Sequence, residues 1–286
     1  MKKPANWIIR NADTQDRPLI TALLLTAHWK HQHLDWFNSL ELLDQRPYLL
    51  ALEHDTPIAC LASPPEPPQV AWLRLFAVSE PQEPAAVWDC MWPEAASQTA
   101  TLGAKVAAAL LQGEWLAPTL EESGFEHVNT VVVLRWRKAA HTQAQERGGR
   151  IRPMLREDLP EVAKIDDRAF DGIWKNSYLA LQEAYAQSVM ASVALAEERL
   201  VGYQISTASP YGIHLARLAV DPDDQGKHVG KNLLNDLLRR VAQQGHRQVT
   251  VNTQVDNQRA LDLYQQSGFR ETGDRYPVYQ KSLSAL

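Results

Sequence analysis

The stretch Leu218–Leu234, L-A-V-D-P-D-D-Q-G-K-H-V-G-K-N-L-L, decides how the rest of the chain is read. An apolar strand runs to Val220 and is broken at Pro222. Gly226 then opens a tight loop, and Val229 starts a helical pattern carried by Leu233, Leu234, Leu237, Leu238 and Val241. Strand, glycine turn and helix N-terminus in succession gather backbone N–H groups that lack a helical acceptor, where the helix dipole favours negative charge. The expectation is a phosphate-bearing ligand.

Whole-chain quantities narrow the setting. With 286 residues, 45% hydrophobic and 22% charged, the chain has the size of two globular domains. A net charge of -5 argues against a general nucleic-acid binder. Residues 1–140 hold 11 basic and 16 acidic side chains and the remainder 18 of each, so the second half must grip an anion locally. Cys60 and Cys90 are too few for a disulfide framework and read as reduced thiols of a cytoplasmic protein. No apolar run approaches the ~18 residues of a membrane span, and no apolar signal core follows Met1-Lys2-Lys3-Pro4. The histidines form no metal-binding spacing, so no metal is expected, and His31 and His33 read as polar surface.

Residues 139–150, with Gly148 and Gly149, read as a linker between two similar halves. Ile9-Arg10 with Asp16 and Pro18 is matched by Ile151-Arg152 with Asp158 and Pro160, at an offset of 142. E-E-S-G-F at Glu121–Phe125 is matched by Q-Q-S-G-F at Gln265–Phe269, at an offset of 144. The expected domains are 1–140 and 151–286, joined by 141–150. In the second half the pattern predicts strands near 151–155, 189–196, 200–207, 213–220, 248–253 and 269–281. Helices are predicted near 159–170, 175–187, 229–244 and from Asn257 to Gly268, with Asp158 and Asn257 as caps and Gly245 closing the third. In the first half strands are predicted near 7–10, 48–53, 58–62, 70–78 and 128–136 and helices near 16–28 and 118–123. Pro81 to Gly113 resists parsing. The fold class is mixed α/β.

The second half resembles the GNAT N-acetyltransferase superfamily. The resemblance rests on L-x-V-x-P-x-x-Q-G-x-x-x-G over Leu218–Gly230 followed by N-x-x-A-x-x-x-Y-x-x-x-G-F over Asn257–Phe269. It implies two tandem GNAT-like domains, each a mixed, mainly antiparallel sheet flanked by helices, with acetyl-CoA as cosubstrate. By resemblance, Gln225, Gly226, Lys227, His228, Val229 and Gly230 form the pyrophosphate loop and Lys231 adds charge. The backbone of Leu218, Ala219 and Val220 takes the pantetheine arm as an added strand, with an N–H near Val220 polarising the thioester carbonyl. Asn257 bonds the cofactor arm and Tyr264 protonates the leaving thiolate. Two departures stand out. His228 occupies the loop's usual inner glycine. Asn252 stands where relatives that acetylate ribosomal-protein N-termini carry a glutamate. His214, on the strand before the loop, is the alternative base; delivery of a neutral amine by water is another.

Aligned on S-G-F, the first half has Gly113 for Asn257 and Leu120 for Tyr264, and S-E-P-Q-E-P follows Val78, so it reads as a degenerate GNAT-like scaffold or substrate lid. Eight of nine tryptophans, all but Trp174, lie there or at its end, as core packing or as a substrate wall. The segment Phe170–Trp174 is expected to shape the acceptor pocket, and Asp166, Asp167 and Asp171 read as a solvated helix end or, alternatively, as acids that greet a cationic amine. The resulting reading is transfer of an acetyl group to a primary amine, either a small molecule or a peptide N-terminus. The rivals are a non-catalytic acetyl-CoA-binding or partner-binding module and a protein N-terminal acetyltransferase.

Overall fold

The computed structural model describes residues 7–138, 150–209 and 212–283. The chain divides into two compact units, Met1–Val128 with Tyr276–Leu286 and Asn129–Arg275. This differs from the expected 1–140 and 151–286 because the strands ending each half are exchanged. Of the expected linker, 141–149 lie outside the described residues and Arg150 begins a strand.

The first unit contains β1 (Trp7–Asn11), α1 (Arg17–Thr26), β2 (Trp29–Gln32), β3 (Tyr48–Glu53), β4 (Thr56–Ala62), β5 (Val70–Trp72), β6 (Leu75–Val78), α2 (Pro84–Thr101), β7 (Val106–Leu110), α3 (Ala117–Glu122) and the start of β8 (Glu126–Arg137). The predicted strand over 70–78 is two strands. Val70–Trp72 pairs in parallel with Val106–Ala108, whereas β6 turns to β4 and β2 in the order β1-β3-β4-β6-β2. The unparsed stretch holds α2, whose pattern Pro93 and a mixed run of Ala, Trp and Cys obscure. Its Trp88 and Trp92 stack at 5.0 Å and pack with Phe76 and Phe125 in the core, which favours the packing reading of the tryptophans.

The second unit contains the rest of β8, β9 (Arg150–Pro153), α4 (Leu159–Ala169), α5 (Tyr178–Ala186), β10 (Met190–Ala196), β11 (Arg199–Ser209), β12 (Gly212–Val220), α6 (Val229–Gln243), β13 (Gln248–Gln254), α7 (Gln258–Gln266) and the first part of β14 (Arg270–Ser282). Its strands run β14-β8-β13-β12-β11-β10-β9. Residues Val131–Arg137 of β8 pair antiparallel with β13, and Val278–Ser282 of β14 pair with β7 in the first unit's own set. Leu233, Leu234, Leu237, Leu238 and Val241 bury one face of α6 on this sheet, as their spacing requires.

Duplication is visible in bonding as well as in letters. Arg10 grips Asp16 with two hydrogen bonds of 2.6 Å, and Arg152 grips Asp158 with bonds of 2.6 and 2.8 Å. Asp158 precedes α4 but does not cap it; its carboxylate takes Arg152 and the Leu155 N–H. Asn257 does cap α7, accepting the Ala260 N–H at 3.1 Å.

Candidate active site

The site is made by two strands parting. β12 and β13 pair in parallel only from Ile213–Leu215 against Val249–Val251, although β12 continues to Val220 and β13 to Gln254. A bulge in β12, where the register against β11 shifts between Ile205 and Ser206, leaves Ala216 as the extra residue at the parting point. Beyond it β12 stays with β11 alone. The Asp221 N–H donates to Val201 O at 2.9 Å, and alternation along an antiparallel pair then turns Ala219 to β11 and Leu218 and Val220 to the vacated edge. Leu218 and Val220 thus turn their backbone N–H and C=O groups to this edge, where the Val220 carbonyl accepts from the Gln225 side chain. Ala219, expected in the same binding stretch, faces its neighbour strand and contributes only the spacing.

This edge runs into the loop and α6. Gly226 has φ +80, the left-handed conformation that glycine adopts without strain, and nothing lies within 4 Å of a Cβ placed there. His228 has φ +64, which accounts for the glycine usual at this position: the turn is left-handed, and a histidine holds it at a steric cost. The first helical bond of α6 runs from the Asn232 N–H to His228 O at 3.0 Å. The N–H groups of Val229, Gly230 and Lys231 therefore lack acceptors inside the helix. The exposed Lys231 lies in the same turn.

Acids around the loop are neutralised in place. Arg168 binds Asp221 and Asp223 at 2.8 Å each, and Arg199 and Lys227 bind Asp224 at 2.6 and 2.9 Å. Lys227 and Arg199 hold the Asp224 carboxyl below the usual carboxylate range. The Lys227 side chain is thus paired with Asp224, and its backbone N–H donates to Asp224 O at 3.4 Å. Gln225 donates to Val220 O at 3.2 Å and accepts from Arg259 in the first turn of α7.

A residue that the motifs did not flag sets the depth of this corner. Gly202 of β11 pairs with Val220, and a Cβ there would stand 2.9 Å from Ala219 O and 3.1 Å from Val229 Cγ1. Only glycine lets the start of α6 sit this close to the sheet. An isolated glycine within a strand pattern was the available signal.

Tyr264 is buried against Phe269, with ring centroids 5.6 Å apart. Burial raises its pKa, with the Arg217 charge opposing, so the phenol keeps its proton. No hydrogen bond from its hydroxyl is made among the described residues. His214 lies in the still-paired part of β12, opposite Thr207 and Thr250, with Nδ1 2.9 Å from Thr250 Oγ1. Burial lowers its pKa, which keeps the ring neutral. Asn252 lies in β13 opposite Val133 of β8.

Asp166 corrects an expectation. It is fully buried rather than at a solvated helix end. It accepts from Arg217 Nε at 2.7 Å, Arg217 Nη2 at 2.8 Å, the Asn176 N–H at 3.0 Å and the Tyr203 hydroxyl. Arg217 also donates to Trp174 O at 2.8 Å and stacks over Phe170 at 3.4 Å. Segment 170–174, between α4 and α5, is thereby pinned to the parted half of β12. Asp167 pairs with Lys175 at 2.7 Å. His31 and His33 also depart from the expected polar surface: His31 is buried with Nε2 3.0 Å from Leu73 O, and His33 stacks on Trp72 at 4.7 Å. Among the described residues no three His, Cys, Asp or Glu side chains gather as metal ligands, and no helix is long and apolar enough to cross a membrane.

Residues 159–279 match the family model described as an acetyltransferase (GNAT) domain. The [ribosomal protein bS18]-alanine N-acetyltransferase of Salmonella typhimurium is 28% identical over 134 residues, 45% of this chain and 88% of that protein. An uncharacterized protein of Mycobacterium leprae is 29% identical over 130 residues, 44% of this chain. The spore coat polysaccharide biosynthesis protein SpsD of Bacillus subtilis is 35% identical over 77 residues, 27% of this chain. The matches span only 35% and 27% of the lengths of the latter two relatives. A tandem GNAT protein from the clavulanic acid biosynthesis pathway shares the fold over 98% of this chain and 99% of its own, with TM-score 0.64 and 13% identity. A GCN5-related N-acetyltransferase from Sphaerobacter thermophilus covers 98% and 96%, with TM-score 0.65 and 15% identity.

Proposed function

We propose, from the match of residues 159–279 to the acetyltransferase (GNAT) domain model, that the chain transfers an acetyl group from acetyl-CoA to a primary amine in a ternary complex. One observation carries the reading: the open edge at Leu218 and Val220 leads directly into the unpaired N–H groups of Val229, Gly230 and Lys231. An extended amide-bearing arm ending in a diphosphate fits that sequence of donors.

In this reading the loop from Gln225 to Gly230 holds the diphosphate, Lys231 adds charge, and the outward N–H groups of β12 orient the arm and polarise the carbonyl. Asn257 holds the arm through its Nδ2, whose one bond at present is a long one of 3.5 Å to Gln254 Oε1. The amine nitrogen bonds to the carbonyl carbon as the carbon–sulfur bond breaks, and Tyr264 gives its proton to the departing thiolate. The amine's own proton goes to His214 or to water. Phe170 and Trp174, fixed by Arg217, line the acceptor side. The first unit serves as scaffold or substrate lid, and the reduced Cys60 and Cys90 suit a cytoplasmic protein.

Similarity to the ribosomal-protein enzyme favours a peptide N-terminus as a second acceptor class, whereas Asn252 lacks the proton-accepting group implied for those relatives. Thiol release from acetyl-CoA, measured with small amines and short peptides, tests the proposal. Turnover with at least one amine is expected; cofactor binding without turnover across the set would leave a non-catalytic binding module.

A further inference from the structure

The first unit repeats the parted-strand frame of the second. β5 and β7 pair in parallel over Val70–Trp72 and Val106–Ala108, and β12 and β13 over Ile213–Leu215 and Val249–Val251, at an offset of 143. In both units the central strand then leaves its parallel partner and continues along its antiparallel neighbour, β6 along β4 and β12 along β11. The Ser79 N–H donates to Ile58 O at 2.9 Å, as the Asp221 N–H does to Val201 O. Phe76 and Val78 are therefore the counterparts of Leu218 and Val220, turned to the edge their parallel partner has left.

That edge is occupied. β2 lies along it antiparallel, with His31 opposite Phe76 and Trp29 opposite Val78. Several contacts hold β2 there. The His33 N–H donates to Arg74 O at 2.9 Å, and the Gln112 side chain donates to Gln32 O at 3.0 Å. Trp29 packs on Trp115 at 5.4 Å, and the His31 ring is buried with its Nε2 at Leu73 O. The helix end that would face a diphosphate is also unsuited to one: α2 starts at Pro84, which has no N–H, after Glu80 and Glu83.

We infer that β2 fills, within the first unit, the slot that the cofactor arm takes in the second, leaving one acetyl-CoA site per chain. The site count rests on the acetyl-CoA reading above; the filling of the slot does not.

Two measurements on the intact chain separate these. Calorimetric titration with acetyl-CoA should give one site, and Gly230→Glu, which sets a carboxylate beside the second unit's helix end, should abolish it. Two sites, or heat persisting in Gly230→Glu, would overturn the inference. Amide hydrogen exchange of the ligand-free protein should show Phe76 and Val78 exchanging at least about 100-fold more slowly than Leu218 and Val220. Acetyl-CoA should slow only the second pair. Absence of any heat with the wild-type chain would remove the acetyl-CoA reading, and the exchange of Phe76 and Val78 would still decide the role of β2. Exchange of these two amides as fast as at an open edge overturns it.

Discussion

Gly230→Ala should move stability and affinity in opposite directions. Gly230 is the second residue of α6, and a Cβ there would lie 3.5 Å from Leu263 Cδ2 and Val220 Cγ2 and 3.7 Å from Leu218 Cδ2. These are ordinary contacts, so the fold accepts alanine. Exchanging glycine for alanine within a helix should stabilise the chain by about 0.5–1 kcal/mol, mainly through the unfolded state. The same methyl points between Val220, Leu218 and Leu263, into the space where the proposed cofactor arm would pass from the β12 edge to the helix end. Displacing the diphosphate from even one backbone donor forfeits a charge-assisted hydrogen bond, about 1.5–3 kcal/mol. Affinity for acetyl-CoA should therefore fall by roughly 10- to 100-fold. Urea denaturation and calorimetric titration of the same preparation read both quantities. Unchanged affinity would show that the ligand does not approach α6 at Gly230, and a loss of stability would contradict the helix geometry.

Tyr264→Phe should lower turnover at least about tenfold with little change in acetyl-CoA affinity, because it removes a proton donor without removing packing; equal turnover takes Tyr264 out of the chemistry. Gly202→Ala should destabilise the chain by about 1–3 kcal/mol, since its Cβ meets the backbone at Ala219 O and Val229 beyond it; urea unfolding at the wild-type midpoint would contradict that packing. Arg217→Met should destabilise by about 3–5 kcal/mol by leaving Asp166 buried without its cation, and the double variant with Asp166→Asn should recover part of the loss in the same assay. His31 is buried with its pKa lowered to about 4, so the unfolded chain protonates first as pH falls. Its contribution is complete above about pH 6.5 and should decline by roughly 3 kcal/mol as pH falls toward 4. His31→Gln should flatten this slope, and an unchanged slope would place the imidazole in solvent.

The site's backbone was legible in the letters because its determinants are local. Pro222, Gly226 and the leucine spacing after Val229 dictate strand end, turn and helix without reference to distant residues. Asn257 and Gly245 were legible as caps for the same reason. Features that depend on distant partners were not. The four-residue β2 has no apolar alternation and is a strand only because β6 offers it an edge. The run 70–78 is apolar but for Arg74 and has no glycine or proline, and it divides because one part pairs with β7 and the other with β4. Asp166 resembles its exposed neighbour Asp167 in sequence; only Arg217, Tyr203 and Asn176, brought in from elsewhere, show that it is buried. Exchange of β8 and β14 has no local signature at all. It carries a consequence for dissection: a fragment of residues 151–286 lacks the β8 strand that covers β13, so it should express as an unfolded or aggregated chain.

A crystal structure of the intact protein grown with acetyl-CoA tests the central claim most directly. The expected density has the pantetheine arm hydrogen-bonded to Leu218 and Val220, the diphosphate on the N–H groups of Val229–Lys231, and sulfur within reach of the Tyr264 hydroxyl. Density for the cofactor elsewhere, with the edge of β12 and the end of α6 bare at saturating ligand, would contradict the account.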